Sequence, residues 1–105
     1  MKEEQYLYLT TVGRKTGAPR EIEIWFTRTG ARCYLIAEHR ERANWVQNIL
    51  HNPRVSFRIA DKTFNGTGRV VDEATESYLL ESVRSRFEQK YGWSDGLVVE
   101  LIAAE

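Results

Sequence analysis

Residues 6–28 read YLYLTTVGRKTGAPREIEIWFTR, and this stretch decides the fold. Its first seven residues are aromatic, aliphatic or β-branched, which is typical of a strand that ends at Gly13. A short loop follows, and from residue 20 to residue 28 apolar and polar side chains alternate, which predicts a second strand. The apolar side chains on one face of that strand are Ile22, Ile24 and Phe26.

The rest of the chain predicts more strands and two helices. The strands are expected at residues 6–12, 20–28, 32–37, 55–59, 63–71 and 97–103. One helix should end at the Asn-Pro pair of residues 52–53, and a second should run from an N-cap at Asp72 to a C-cap at Gly92. The Asp-Gly pair of residues 95–96 should turn the chain into the last strand. We therefore predict one α+β domain over residues 1–105, in which about six mainly antiparallel strands curl into a small barrel beside two helices.

Composition excludes several classes of function. Fifteen Lys and Arg residues balance fifteen Asp and Glu residues, whereas a protein that coats nucleic acid usually carries a basic excess. Cys33 lies alone in an apolar run, and His39 and His51 lack metal-ligand spacing, so we expect a buried thiol and no metal or disulfide. The apolar runs are too short to span a membrane and no signal-peptide pattern opens the chain, so we expect a soluble cytoplasmic protein.

The loop between the first two strands has the densest positive charge. Residues 13–20, GRKTGAPR, hold three cations and a hydroxyl, and no carboxylate occurs between residues 5 and 20. Two glycines allow a tight turn with exposed N–H groups, as an anion-binding nest requires, and the cations could bind a phosphate. A solvated basic turn explains the same composition, so the residues alone leave both interpretations open. The candidate residues are Gly13, Arg14, Lys15, Gly17 and Arg20.

The start of the first helix is a second candidate site. Asn44 and Asn48 should lie on one helix face, four residues apart, with Trp45 beside them. The helix N-terminus could add its positive dipole to the binding of an anion. In the alternative interpretation, Trp45 is a core residue and the two Asn side chains are surface and cap residues.

Trp25 stands among glutamates on the otherwise polar face of its strand. An exposed tryptophan on a strand is typical of a subunit interface or of a ring-stacking surface. We therefore expect a homodimer. Local sequence supports no Ser–His–Asp arrangement, paired-carboxylate site or Cys–His pair, so no catalytic residue is assigned.

Two segments resemble the signatures of a known family. Residues 10–20, TTVGRKTGAPR, are similar to the signature loop of the deazaflavin-dependent nitroreductase family. Ala37 followed by residues 44–49 and 52–55 resembles the second signature of that family. The family belongs to the flavin- and deazaflavin-binding split β-barrel group, which includes pyridoxamine 5′-phosphate oxidase. The resemblance extends over roughly residues 6–71, in the motif order of the family.

The resemblance implies a split β-barrel, commonly a homodimer in the wider group, that binds the deazaflavin coenzyme F-420. It implies an enzyme that passes the hydride of the reduced coenzyme to a small organic acceptor such as a quinone. The phosphate and acidic tail of the coenzyme would be held by the loop residues Arg14, Lys15, Thr16, Gly17 and Arg20. The ring system would lie along Ala37, Glu38, Asn44, Trp45 and Asn48.

Two alternatives stay open. The first is an FMN-binding flavoprotein similar to pyridoxamine-phosphate oxidase, in which an Arg-Lys pair just before the helix holds the FMN phosphate. An ungapped alignment puts Asn44 and Trp45 at that pair, and Arg40 and Arg42 would fit only with a shift, so F-420 is favoured. The second alternative is a non-catalytic carrier or sensor of the cofactor. Residues 38–42, EHRER, replace a Ser/Gly-rich stretch of many relatives, so the resemblance defines no acceptor site.

Overall fold

The computed structural model describes residues 4–104, which form one antiparallel sheet and two helices. The strands are β1 (Tyr6–Val12), β2 (Pro19–Trp25), β3 (Thr27–Thr29), β4 (Arg32–Ala37), β5 (Arg54–Ile59), β6 (Lys62–Val70) and β7 (Leu97–Ala103). The helices are α1 (Asn44–His51) and α2 (Ser77–Tyr91), and a 3-10 turn (Arg40–Arg42) precedes α1. The strand order is β2-β1-β5-β6-β7-β4-β3, and every pair is antiparallel.

An interruption at Phe26 lets the sheet curl on itself. β2 pairs with β1 at one end of the strand order, and β3 pairs with β4 at the other end. Only Phe26 separates β2 from β3 along the chain, so this bent segment joins the two edges of the sheet. The predicted α+β split barrel of about six antiparallel strands is confirmed, although the strand predicted over residues 20–28 is broken in two.

The barrel interior holds the larger of two hydrophobic cores. Alternate residues of β1, among them Leu7 and Leu9, point inward and are completely buried, together with Phe26. α1 closes this core with Val46 and Ile49, which lie on its buried face. The period-two pattern of the strands and the helical pattern of α1 therefore meet in one apolar volume.

α2 covers the outer face of β4 and β7 with the predicted apolar stripe, which consists of Leu80, Val83, Phe87 and the half-buried Tyr91. Gly92 ends the helix with a φ of 72°, as predicted for a C-cap. The predicted N-cap at Asp72 is wrong, because the helix begins at Ser77. The Asp72 carboxylate instead accepts the N–H of Ala74 at 2.8 Å and closes a local turn.

An ion network around one buried carboxylate, Glu100, fixes the start of α2 against the sheet. Glu100 of β7 is fully buried and accepts hydrogen bonds from the Tyr34 hydroxyl and from Nε of Arg69, both at 2.9 Å. Arg69 also donates to both carboxylate oxygens of Glu76, just before α2, which lowers the pKa of Glu76 to about 2. Burial and the bond to Glu100 raise the pKa of Tyr34. These contacts hold α2 in a defined position on the sheet.

Three further observations concern the cysteine, possible metal ligands and possible membrane-spanning helices. Cys33 is buried in the barrel core, as predicted. Within residues 4–104, no group of three or more His, Cys, Asp or Glu side chains is arranged to hold a metal ion. Over the same residues, no helix has the length and apolar character needed to cross a membrane.

Candidate functional site

The basic loop is a tight turn closed by its own backbone. The N–H of Gly13 donates to the carbonyl of Ala18 at 2.8 Å, and the N–H of Gly17 donates to the carbonyl of Gly13 at 2.7 Å. Gly17 has a φ of 75°, which glycine adopts without strain. The Thr16 hydroxyl oxygen accepts the N–H of Ala18 at 3.2 Å, which leaves the hydroxyl proton to be donated elsewhere.

Arg14 ties this loop to α1. Its backbone N–H and its Nη1 both donate to Oδ1 of Asn48, at 3.2 and 3.0 Å, and its Nη2 donates to Oδ1 of Asn44 at 3.3 Å. The buried amide of Asn48 in turn donates to the Thr11 hydroxyl of β1 at 3.0 Å. The expected pairing of the two Asn residues on one helix face is confirmed. Arg14 is therefore a positioning residue of the loop, with less donor capacity left for a ligand than its sequence position suggests.

A cavity of about 610 Å³ opens between the loop, β2 and α1. It is lined by the predicted residues Arg14, Lys15, Thr16, Arg20, Asn44, Trp45 and Asn48. Lys15 and Arg20 are exposed, and among residues 4–104 no carboxylate lies within ion-pair distance of either cation. No side chain caps the start of α1, so its first N–H groups add to the positive character of this end. We call this space the cationic cavity.

A second cavity, of about 650 Å³, adjoins the first, and the two share Ile22 and Trp45. Its apolar lining consists of Tyr6, Ile22, Ile24, Trp25, Ile36, Ala37, Ala43, Trp45 and Trp93. Its polar lining consists of Glu23, Glu38 and His39. We call this space the aromatic cavity. The predicted ring-side residues Ala37 and Glu38 lie here, and Trp45 stands between the two cavities.

Trp25 owes its position to the end of α2. It is half-buried and stacks on Tyr91, with ring centroids 4.3 Å apart and planes 5° apart, and Trp93 meets it edge-on. The Tyr91 hydroxyl lies 2.7 Å from the Gln5 carbonyl oxygen and accepts the N–H of Phe26 at 3.0 Å. The expectation that Trp25 stands exposed is wrong, because α2 covers one face of its ring.

Some predicted residues lie elsewhere. Gly17 shapes the loop but lines neither cavity. The Arg40 guanidinium pairs with Glu73, before α2, at 3.6 Å, whereas Arg42 lies beside Trp45 in a smaller adjoining space. The start of α1 therefore carries no Arg-Lys pair of the kind that the FMN alternative requires.

Sequence reasoning missed several residues of the aromatic cavity. Trp93 follows α2, far along the chain from the two signatures, and Glu23 alternates with two isoleucines on β2. The sequence contains twelve Trp, Tyr and Phe residues, a high number for a domain of this size. That number indicates a surface lined by aromatic rings but does not say where in the fold it lies.

The two cavities together suit an extended ligand with anionic groups at one end and a flat ring at the other. Cationic side chains and free N–H groups bind phosphate or carboxylate oxygens, and tryptophan faces pack against rings. A deazaflavin coenzyme with a phosphate and an acidic tail has this composition, so the residues present fit it. Redox chemistry in this groove would be supplied by a bound cofactor, because the side chains that line it do not themselves transfer a hydride.

Comparison with known proteins gives two results. The sequence profile of a family described as F420H(2)-dependent quinone reductase matches residues 1–95. Solved structures of similar fold include an F420-H2 dependent reductase, which is 20% identical over 92% of this chain and 93% of that chain, with a TM-score of 0.67. A proposed pyridoxamine 5′-phosphate oxidase from Listeria innocua is 17% identical over 96% of this chain and 85% of that chain, with a TM-score of 0.74. The heme storage protein HutZ from Vibrio cholerae is 18% identical over 98% and 84%, with a TM-score of 0.78. At these identities the structural matches establish the split-barrel fold.

Proposed function

Because this chain belongs to the F420H(2)-dependent quinone reductase family, we propose that it is an enzyme that transfers a hydride from reduced F-420 to a small organic acceptor such as a quinone. The observation that supports this proposal most directly is the junction of the cationic and aromatic cavities at Ile22 and Trp45. The junction lets one molecule extend from a cationic loop to a tryptophan-lined wall.

The proposal gives each group of residues a separate task. Lys15 and Arg20, with the Thr16 hydroxyl, would hold the phosphate and the acidic tail of the cofactor. Arg14 would keep the loop against α1 through its bonds to the two Asn side chains. Ala37 would let the ring approach the end of β4, because its side chain is a single methyl group. The cofactor, when bound, would supply the hydride, and the apolar walls would orient the acceptor and exclude water.

We expect the protein to bind F-420 more tightly than FMN. The cationic cavity offers separated positive charges to a long acidic tail, whereas Arg40, one of the two arginines that could replace the Arg-Lys pair of an FMN site, is paired with Glu73. Titration of each cofactor can be followed by quenching of tryptophan fluorescence, since Trp45 stands between the two cavities. Micromolar binding of FMN without a response to F-420 would reverse this assignment.

Turnover separates an enzyme from a carrier or sensor. Oxidation of reduced F-420 in the presence of a panel of quinones is expected to proceed catalytically, with many turnovers per chain. Stoichiometric binding of F-420 with no turnover on any acceptor would instead support the non-catalytic alternative.

We also propose that the protein is a homodimer, as is common in the wider split-barrel group. Tyr6, which lines the aromatic cavity, is 43% exposed and so offers an aromatic surface that a second subunit could cover. Sedimentation velocity is expected to give about twice the 12.2 kDa mass of the chain. A single species at the monomer mass at high protein concentration would contradict this expectation.

A further inference from the structure

The aromatic cavity carries negative charge that hydride transfer to a neutral acceptor does not require. Three half-buried tryptophans, Trp25, Trp45 and Trp93, line it together with the carboxylates of Glu23 and Glu38. Both carboxylates are exposed, and within residues 4–104 neither has a cationic partner within ion-pair distance. Tryptophan faces next to unpaired carboxylates are the combination that recognises organic cations.

We propose that the aromatic cavity binds flat aromatic cations, and that the acceptor class of this protein is therefore a cationic ring compound in preference to an anionic one. The role of the cation as the hydride acceptor rests on the function proposed above, whereas the binding of the cation in the aromatic cavity does not. The charges of the two cavities support this assignment, because three cations and one carboxylate, Glu21, line the first, whereas Glu23 and Glu38 line the second. The acceptor would lie against the ring of the cofactor in the aromatic cavity, while the tail of the cofactor would lie in the cationic cavity. An anionic acceptor would be drawn to Lys15 and Arg20 and would compete there with the tail of the cofactor.

Charge balance in the reaction favours the same class of acceptor. A ring cation that accepts a hydride forms a new C–H bond. It gains one hydrogen nucleus and two electrons and becomes neutral. The hydride comes from the reduced cofactor, which is oxidised and whose remaining labile hydrogen leaves to solvent as a proton. A neutral quinone would instead become an anion beside Glu23 and Glu38 and would then need a proton, and like charges at close range are unfavourable.

Binding to the cofactor-free protein tests the proposal directly. The probes are N-methylquinolinium and, as an anion of similar size, naphthalene-2-sulfonate, each followed by quenching of tryptophan fluorescence. We expect the wild type to bind the cation and expect Glu23→Gln/Glu38→Gln to bind it roughly tenfold more weakly, since two nearby charges are lost. The matched control, Asp61→Asn/Glu81→Gln, removes two exposed carboxylates outside the groove and should leave the affinity unchanged.

Two controls separate a loss of cation binding from a loss of the fold and from the contribution of His39. Thermal unfolding is expected to show an intact fold in both double variants, because the replaced carboxylates are exposed and make no hydrogen bond in the described part of the chain. Both series are repeated in a His39→Gln background, because the His39 side chain also lines the cavity and would otherwise contribute to the binding of either probe. Equal affinity of the wild type for cation and anion, or unchanged cation affinity in Glu23→Gln/Glu38→Gln, would overturn the proposal.

The loaded enzyme provides an independent comparison. The ratio of kcat/KM for a cationic acceptor to that for a neutral quinone should fall by about the same factor in Glu23→Gln/Glu38→Gln as the cation affinity of the cofactor-free protein. Reduction of quinones with no charge preference would refute the acceptor class and leave the proposed function intact. Charge-dependent binding of the probes without any turnover would support the binding of cations in the aromatic cavity and would refute the proposed function.

Discussion

Replacing Lys15 and Arg20 together by glutamine is expected to lower the affinity for F-420 about a hundredfold and to leave the fold intact. Both side chains are exposed and line the cationic cavity. A charge-assisted hydrogen bond to a phosphate or carboxylate contributes about 1.5–3 kcal/mol, and exposed side chains belong at the lower end of that range. Two such losses of about 1.5 kcal/mol each, about 3 kcal/mol together, lower the affinity by about a hundredfold or slightly more. Fluorescence titration at low and high salt measures it, and salt should weaken the wild type more than the variant.

The matched control for this variant is Arg54→Gln/Lys62→Gln, which removes the same charge from exposed positions outside both cavities. Its affinity for F-420 should stay close to that of the wild type. Arg14→Gln should behave differently from both double variants, because its guanidinium bonds hold the loop against α1. We expect it to lower thermal stability as well as affinity. Unchanged affinity in the Lys15/Arg20 variant, with a destabilised cofactor-free protein, would show that the loop is only structural.

The features that the sequence predicted correctly depend on local patterns. Alternation over residues 20–28 identified the side chains that face the barrel core, and the helical stripe of α2 identified the face that packs on the sheet. The density of cations in residues 13–20 located one end of the groove. Each of these signals lies within a few residues of the feature that it predicts, so no knowledge of the tertiary fold was needed.

The features that were missed depend on contacts between distant segments. The strand breaks at Phe26 because its two halves pair with different neighbours, β1 and β4, a choice that the alternation pattern does not contain. Trp25 looked exposed because its cover, Tyr91, is 66 positions further along the chain. The guanidinium of Arg14 is engaged by amide oxygens 30 and 34 residues away. The sequence therefore located the cationic end of the site better than it located the aromatic end.

Gly96→Ala is expected to destabilise the protein by about 2–6 kcal/mol, the largest stability loss that we predict for a single added methyl group. Gly96 has a φ of 147°, a backbone conformation that side chains with a Cβ rarely adopt. A Cβ there would lie 2.4 Å from the carbonyl oxygen of Ala37 and 2.7 Å from Cγ2 of Ile36. The carbonyl cannot move away freely, since β4 is paired with β7 at Ala37 and Leu97. Urea unfolding of the cofactor-free protein measures the loss.

Gly30→Ala is the matched control, because it separates backbone strain from steric clash. Gly30 also has a positive φ, 62°, but no atom lies within 4 Å of an added Cβ, so only the conformational cost of about 1–2 kcal/mol should remain. The excess loss in Gly96→Ala then measures the close approach of the chain to the end of β4. Ala37 lines the aromatic cavity, so a shift of this strand end should also weaken the binding of F-420, which Gly30→Ala should leave unchanged. Equal losses of stability in the two variants would mean that β4 yields at Ala37 and that this wall of the groove is less rigid than its strand pairing indicates.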